Sequence, residues 1–213
     1  MIKIENIDVY GWDSAIRGMR NPMNSWNKMD SYFTEHGTSV GENDLKLMKS
    51  LFKGGTEHRK YLRFINVTMD ITAPLYWWKE FDTYKIGTNC NSCSTMHKIH
   101  AKEFTLDDFS HEHLIDSSDE EYPYENPFTV LEYVIGALNH HRQRYLDTKD
   151  KKHWWQMIQL LPSSYNQKRT VQMNYEVTVR MIQQRKNHKL DEWHVMVDEL
   201  LNLPYMKEII GVE

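Results

Sequence analysis

Cys90-Asn91-Ser92-Cys93, followed by His97 and His100, is the densest run of metal-ligating residues in the chain. Two thiolates and two imidazoles can complete a tetrahedral zinc site. The spacing is compressed, however, because structural zinc sites usually hold their two ligand pairs roughly a dozen residues apart. A redox Cys-x-x-Cys is a second reading, but it belongs at a helix start in a βαβ pattern, which is not found here. Loop and strand residues holding no metal are the favoured reading, with a small zinc protein on Cys90, Cys93, His97 and His100 as an alternative. His111-Glu112-His113 and His140-His141 lack acidic partners on matching helix faces and read as surface residues.

Two cationic groups could hold an anion. Glu57-His58-Arg59-Lys60 follows the Gly54-Gly55 break and precedes the best strand pattern, where a phosphate or ring could be met. Arg180, Arg185, Lys186, His188 and Lys189 gather at a helix end. There they either complement the helix dipole or grip an anion, since Arg binds phosphate with two parallel bonds. No Gly-x-Gly-x-x-Gly, no Gly-Lys-Ser/Thr loop and no Gly-x-Ser-x-Gly elbow occurs, which disfavours Rossmann dehydrogenases, P-loop NTPases and α/β-hydrolases.

The elements that must position these residues belong to a chain of 213 residues, read as a single domain over residues 1–213. Lys+Arg 26 against Asp+Glu 30 gives a formal charge of −4, so no dedicated nucleic-acid binder is expected. With 12 Met, 12 Tyr, 7 Trp and 7 Phe but only 9 Gly and 6 Pro, obligatory turns are few and helices favoured. No long apolar run suggests a membrane span. The opening MIKIENIDVY reads as a strand rather than a signal peptide, and with two cysteines the expected compartment is the cytoplasm.

Residues 1–10 alternate as a strand with an irregularity near Asn6. A short helix at 15–19 stops before Asn21-Pro22, and 41–52 is an amphipathic helix with Glu42 and Asp44 in its first turn. Residues 59–72 are the best strand pattern. A helix begins at Ala73-Pro74 and runs through the aromatic stretch 75–81. Residues 83–95 read as a loop, 96–104 as a strand, and 117–124 as an exposed acidic loop. Helices follow at 128–145 and 153–161, ended by Pro162, and a closing helical pair spans 174–185 and 190–201.

Taken in order, these pieces resemble the flavin-dependent thymidylate synthases over about residues 41–201. The family carries a Gly-His…Glu-His segment before a long strand, comparable to Gly54-Gly55 and Glu57-His58. Its signature, Arg-His-Arg-x-x-Ser-x-Asn-x-x-Ser-x-Arg, follows a helix like the one at 75–81. Counted from Glu80, where the family often has Gln, Lys85 falls at the second signature arginine, and Thr83 and Tyr84 replace the first Arg and the His. Thr88 matches the first Ser. Asn91 and Ser94 reproduce the Asn-x-x-Ser step after one inserted residue, and the last Arg becomes Met96 (or Thr95 without the insertion). Leu161-Pro162 leads through a polar stretch to Asn174, which matches the Asn of a family Asn-x-Arg, with Glu176 in place of the Arg. Arg185 matches the nucleotide-gripping Arg of the closing helix.

The resemblance implies an α/β (α+β) fold with a central, mostly antiparallel sheet and flanking helices, a domain of the thymidylate synthase complementing protein type. It implies reductive methylation of deoxyuridylate to thymidylate, with methylenetetrahydrofolate as carbon donor, FAD as cofactor and NADPH as reductant, in a homotetramer whose sites lie between subunits. His58, Lys85, Asn91, Ser94 and Asn174 are then the FAD-side residues, and Glu80, Thr88 and Arg185 the substrate-side ones. The flavin carries the chemistry, so no catalytic nucleophile–base pair is assigned. Each charged hydrogen bond lost with a signature arginine costs roughly 1.5–3 kcal/mol, unless Arg17, Arg20, Arg59 or Lys98 substitutes. The alternatives are a nucleotide-binding or interaction protein of the same fold without catalysis, and a variant pyrimidine-nucleotide one-carbon transferase.

Overall fold

A computed structural model describes residues 2–34, 37–116 and 126–212. It is a mixture of helices and antiparallel sheet. The acidic loop expected at 117–124 lies outside the described residues. By its contacts the chain divides into two compact units. One is built chiefly from Ile71–Asp82 and Asn91–Arg169, the other from Ile4–Asp70, Thr83–Cys90 and Thr170–Glu213.

In the second unit, β1 (Lys3–Tyr10) carries Asn6 at φ 53, the irregularity foreseen in the sequence. Asn tolerates this left-handed backbone better than most residues, and its side-chain amide donates to Asp70 Oδ2 at 3.0 Å. Helix α1 (Trp12–Arg20) follows Gly11, where a Cβ would stand 2.1 Å from the Phe64 carbonyl oxygen. The short strands β2 (Tyr32–Thr34) and β3 (Gly37–Ser39) pair antiparallel. Helix α2 (Glu42–Lys53) buries Asp44 and Met48 and ends at Gly54.

The sequence pattern places a strand over 59–72, but its first part is a 3-10 turn at Lys60–Arg63 that buries Tyr61 and Leu62. The strand β4 begins only at Asn66 and runs to Pro74, with Val67, Met69, Ile71 and Ala73 on its buried row. Helix α3 (Leu75–Phe81) starts after Pro74, which fits proline's tolerance at a helix start. It belongs to the first unit and buries Trp77, Trp78 and Phe81. Trp78 donates its indole N–H to the Gln167 carbonyl at 3.0 Å.

Two expectations fail in the middle of the chain. The presumed loop 83–95 contains a strand, β5 (Thr88–Ser92), and the presumed strand 96–104 opens instead as the short helix α4 (Thr95–Lys98). Ser94 decides the latter, because its Oγ accepts the His97 amide at 3.1 Å as an N-cap. Helices α5 (Pro127–Thr148) and α6 (Lys151–Leu160) pack against each other. Asn126 caps α5 and Asp150 caps α6. Leu131, Leu138 and Met157 close a core with Ile99, Phe104 and Phe109.

The polar stretch after Pro162 is also a strand, β6 (Asn166–Asn174). The four-stranded sheet has the order β1-β4-β6-β5. Helices α7 (Tyr175–Arg185), α8 (Asp191–Leu201) and α9 (Met206–Ile210) complete the second unit. Met48, Met69, Met173, Met181, Met196 and Met206 are buried there, so much of the methionine surplus fills core. Each such side chain contributes about 1.5–3 kcal/mol by leaving water.

Candidate functional site

The second unit holds a cavity of about 320 Å³ at the start of α7. One wall is α7 itself, through Asn174, Glu176, Val177 and Arg180, and the other is the turn at Ile86 and Gly87 with Arg63. Asn174 is the N-cap: its Oδ1 accepts the Val177 amide at 3.1 Å, which leaves its NH2 group for other partners. Gly87 has φ +81, and a Cβ there would stand 2.8 Å from Asn174 Nδ2. Only glycine allows this close approach.

Glu176 spends one oxygen on structure. Its Oε1 accepts both Arg59 Nη2 at 2.9 Å and Arg59 Nε at 3.2 Å. The Arg59 guanidinium also lies over the Phe52 ring at 5.0 Å. Oε2 of the same carboxylate is buried and has no hydrogen-bond partner. Thr88 Oγ1 in the same unit is likewise buried and unpartnered.

Arg185 is fixed nearby on α7. Its Nε donates to the Tyr84 hydroxyl at 3.0 Å, and that hydroxyl donates to Gln184 Oε1 at 3.0 Å. The Arg185 guanidinium lies 4.7 Å from the Trp193 ring centroid and 5.5 Å from that of Tyr84. Arg180 approaches the same Tyr84 ring at 5.3 Å. Stacking on aromatic faces pre-organises a guanidinium without spending its donors. Tyr84 is thus the post between two cations, a role its exchange for the signature histidine did not suggest.

The first unit has its own cavity, about 290 Å³, where Ser94, Lys98, Lys168 and Asn166 line the wall. Asn166 Oδ1 is buried there without a partner. Lys102 also lines it and is ion-paired with Asp108. Burial, Asp108 and Cys93 all push the Tyr165 phenol above its ordinary range, so this wall is neutral there at physiological pH.

The residues singled out in the sequence are therefore distributed as follows. Asn174 lines the first cavity, and Arg185 ends the same helix, bonded to the Tyr84 hydroxyl. Thr88 is half-buried on β5 in the same unit. Ser94 lines the second cavity. Lys85 is exposed before the Ile86 turn, Asn91 is exposed on β5, and Glu80 is half-buried on α3. His58 is exposed and packs on Gly54, where a Cβ would meet its ring at 3.2 Å.

Of the proposed replacements for the signature arginines, Arg20 is buried against Asp44, Arg59 is held by Glu176, and Arg17 pairs with Asp13 at 3.4 Å. Lys98 lines the second cavity. Arg63 was not foreseen as a lining residue; its place in a 3-10 turn, rather than on a strand, directs it there.

The zinc arrangement is not formed. Cys90 and Cys93 are exposed, and His100 turns its ring to Tyr145 at 5.0 Å. Among the described residues no three His, Cys, Asp or Glu side chains gather to hold a metal ion. No described helix is long and apolar enough to cross a membrane.

No family model matches the sequence, and no curated protein matches it. Solved structures do match the fold, and they define its class: the chain has the fold of the flavin-dependent thymidylate synthases. It is similar to thymidylate synthase X from Helicobacter pylori with FAD and dUMP, at 16% identity and TM-score 0.68, over 99% of this chain and 97% of that one. It is also similar to the UMP/dUMP methylase PolB from Streptomyces cacaoi bound with 5-Br UMP, at 14% identity and TM-score 0.66, over 99% of this chain and 94% of that one.

Proposed function

We propose that this chain is a flavin-dependent thymidylate synthase-like enzyme. It binds FAD and a pyrimidine deoxynucleotide and methylates deoxyuridylate reductively, with methylenetetrahydrofolate and NADPH as co-substrates. The observation that carries this is the near-full-length likeness to proteins crystallised with FAD and dUMP or with a UMP analogue. It is joined by a cavity on α7 whose donors suit a phosphorylated heterocycle.

The residues present fit a flavin or nucleotide. Arg63 and Arg180 bring guanidinium donors to the cavity, and Asn174, whose Oδ1 caps α7, adds its NH2 group. The flavin, when bound and reduced, supplies the hydride. The chain orients the rings and neutralises the phosphates. Arg185, held over Tyr84 and Trp193, serves the nucleotide with a guanidinium fixed in plane. Asn174 and Ser94 serve the flavin side, with His58, Lys85 and Asn91 completing it, and Glu80 and Thr88 serve the substrate. The working assembly is a cytoplasmic homotetramer in which residues 1–213 act as one domain.

Glu176 favours a second reading. A carboxylate stands where the resembling family has an arginine, so the same fold could hold a nucleotide without turnover, or methylate a different pyrimidine nucleotide. FAD uptake tests the primary reading first. The purified protein is expected to acquire a flavin absorbance band on incubation with FAD and to bind deoxyuridylate. Failure to take up either at high micromolar concentration rejects it.

A further inference from the structure

We propose that the outer edge of β5 pairs with the same edge of a second copy of this chain, antiparallel about a two-fold axis that passes through Cys90.

The sheet order places β5 at one end and β1 at the other. An edge strand exposes backbone N–H and C=O groups that recruit further strands, and natural proteins blunt such edges with charges, proline or a bulge. β1 is blunted: it carries Lys3, Glu5 and Asp8, and Asn6 breaks its regular course at φ 53. β5, Thr88-Asn89-Cys90-Asn91-Ser92, has no charge, no proline and no positive φ, and its residues from Asn89 onward are exposed. Among the described residues its neighbour in the sheet is β6 alone.

The direction of the backbone groups follows from the residue after the strand. The Cys93 amide donates to the carbonyl of Lys168, on β6, at 2.9 Å. Along an antiparallel strand the backbone groups of successive residues turn alternately to the two sides. Those of Asn89 and Asn91 therefore face β6, as Cys93 does, and those of Thr88, Cys90 and Ser92 face the open side.

The residue types select the occupant, because the strand is nearly palindromic about Cys90. Pairing with its own copy sets Cys90 opposite Cys90, Asn89 opposite Asn91 and Thr88 opposite Ser92. Amide meets amide, hydroxyl meets hydroxyl, and no like charges oppose. A two-fold contact requires this kind of self-complementarity. Cys90 turns both backbone groups outward, so it forms the hydrogen-bonded type of pair, with Cα atoms about 5.5 Å apart. A disulfide can span that distance. The two Cys93 residues would lie six residues apart along the strands, about 20 Å, and could not meet. Both thiols are exposed, so Cys93 is an internal control.

The test uses the full-length protein and the variants Cys90→Ser, Cys93→Ser and Cys90→Lys. Diamide, which takes up the two hydrogens released when two thiols join, is added, and linked pairs of chains are followed on a non-reducing gel. Wild type and Cys93→Ser are expected to link about tenfold faster than Cys90→Ser, since pairing raises the local concentration of Cys90 alone. Cys90→Lys sets two like charges on the axis at an exposed position. It is expected to keep the wild-type circular dichroism and to sediment as an assembly of half the wild-type mass. Absence of linking, linking as fast through Cys93, or a Cys90→Lys assembly of wild-type mass overturns the inference, and leaves the edge to an extended segment of another protein. The inference needs two copies of the chain and no flavin. FAD uptake by the same wild-type preparation therefore reports separately on the function proposed above.

Discussion

Gly87→Ala tests the packing on which the α7 cavity depends, and Gly55→Ala supplies its control. Both glycines have a left-handed backbone, at φ +81 and φ +94. At Gly55 an added Cβ meets nothing within 4 Å. That substitution therefore carries only the backbone penalty, about 1–2 kcal/mol, offset by about 0.4–1 kcal/mol from a stiffer unfolded chain. At Gly87 the Cβ would stand 2.8 Å from Asn174 Nδ2 and 3.0 Å from Val177 Cγ2. The cheapest relief is to turn Asn174 away, which forfeits the α7 cap at about 1 kcal/mol. Residual crowding against Val177 adds about 1 kcal/mol. Gly55→Ala should thus lose about 1 kcal/mol or less and Gly87→Ala about 2–3 kcal/mol. For a chain of this size each kcal/mol lowers Tm by about 2–4 °C, so thermal unfolding followed by circular dichroism separates them. Gly87→Ala should also weaken flavin or nucleotide binding, and Gly55→Ala should not. Equal Tm shifts for the two variants would refute the reasoning, since Asn174 would then not be packed on Gly87.

Two further outcomes follow from polar groups outside the site. Asp44 is fully buried and takes Arg20 Nε and Nη2 on Oδ1, both at 2.7 Å, while Oδ2 accepts from the Asp30 and Ser31 amides and the Ser31 hydroxyl. Asp44→Asn leaves Arg20 buried without its counter-charge and turns an NH2 group toward donors. It should cost about 3–5 kcal/mol in urea unfolding, and a loss near zero would show that the pair is dispensable. In the first unit, His141 Nδ1 lies 3.1 Å from His153 Nδ1. Partial burial first, then His140 and His153, hold the His141 imidazole below its ordinary pKa. The unfolded chain takes its proton at about pH 6.5, where the folded chain resists it. Stability is therefore full above that pH and falls as pH drops through it toward the lowered folded value. His141→Gln should flatten this acid-side decline between about pH 7 and 5; an unchanged slope would contradict the assignment.

The parts legible in the sequence are those whose apolar spacing matches one period. The buried row of β4, the amphipathic α5, the start of α7 at Asn174 and even the kink at Asn6 could be read directly. The missed strands lack such a row. The buried positions of β6 are Gln167, Val171 and Met173. Gln167 breaks the apolar alternation, and it is tolerated because it donates to the Cys93 carbonyl at 2.8 Å and accepts from Arg169 at 3.0 Å. β5 is an edge strand with mostly exposed residues, so nothing in its composition marks it. Family spacing singles out Asn174, which lines the α7 cavity, and Arg185 on the same helix. It does not single out Arg63 or the Tyr84–Arg185 contact, since these depend on a 3-10 turn and on aromatic packing against a helix far along the chain.

Product formation tests the central claim most directly. The FAD-loaded protein is incubated with deoxyuridylate, methylenetetrahydrofolate and NADPH, and the nucleotide pool is resolved by mass spectrometry. Thymidylate should accumulate, and Arg185→Ala should abolish it. FAD-loaded protein that binds deoxyuridylate yet yields no methylated nucleotide would contradict the claim, and would make the chain a nucleotide-binding protein of this fold without turnover.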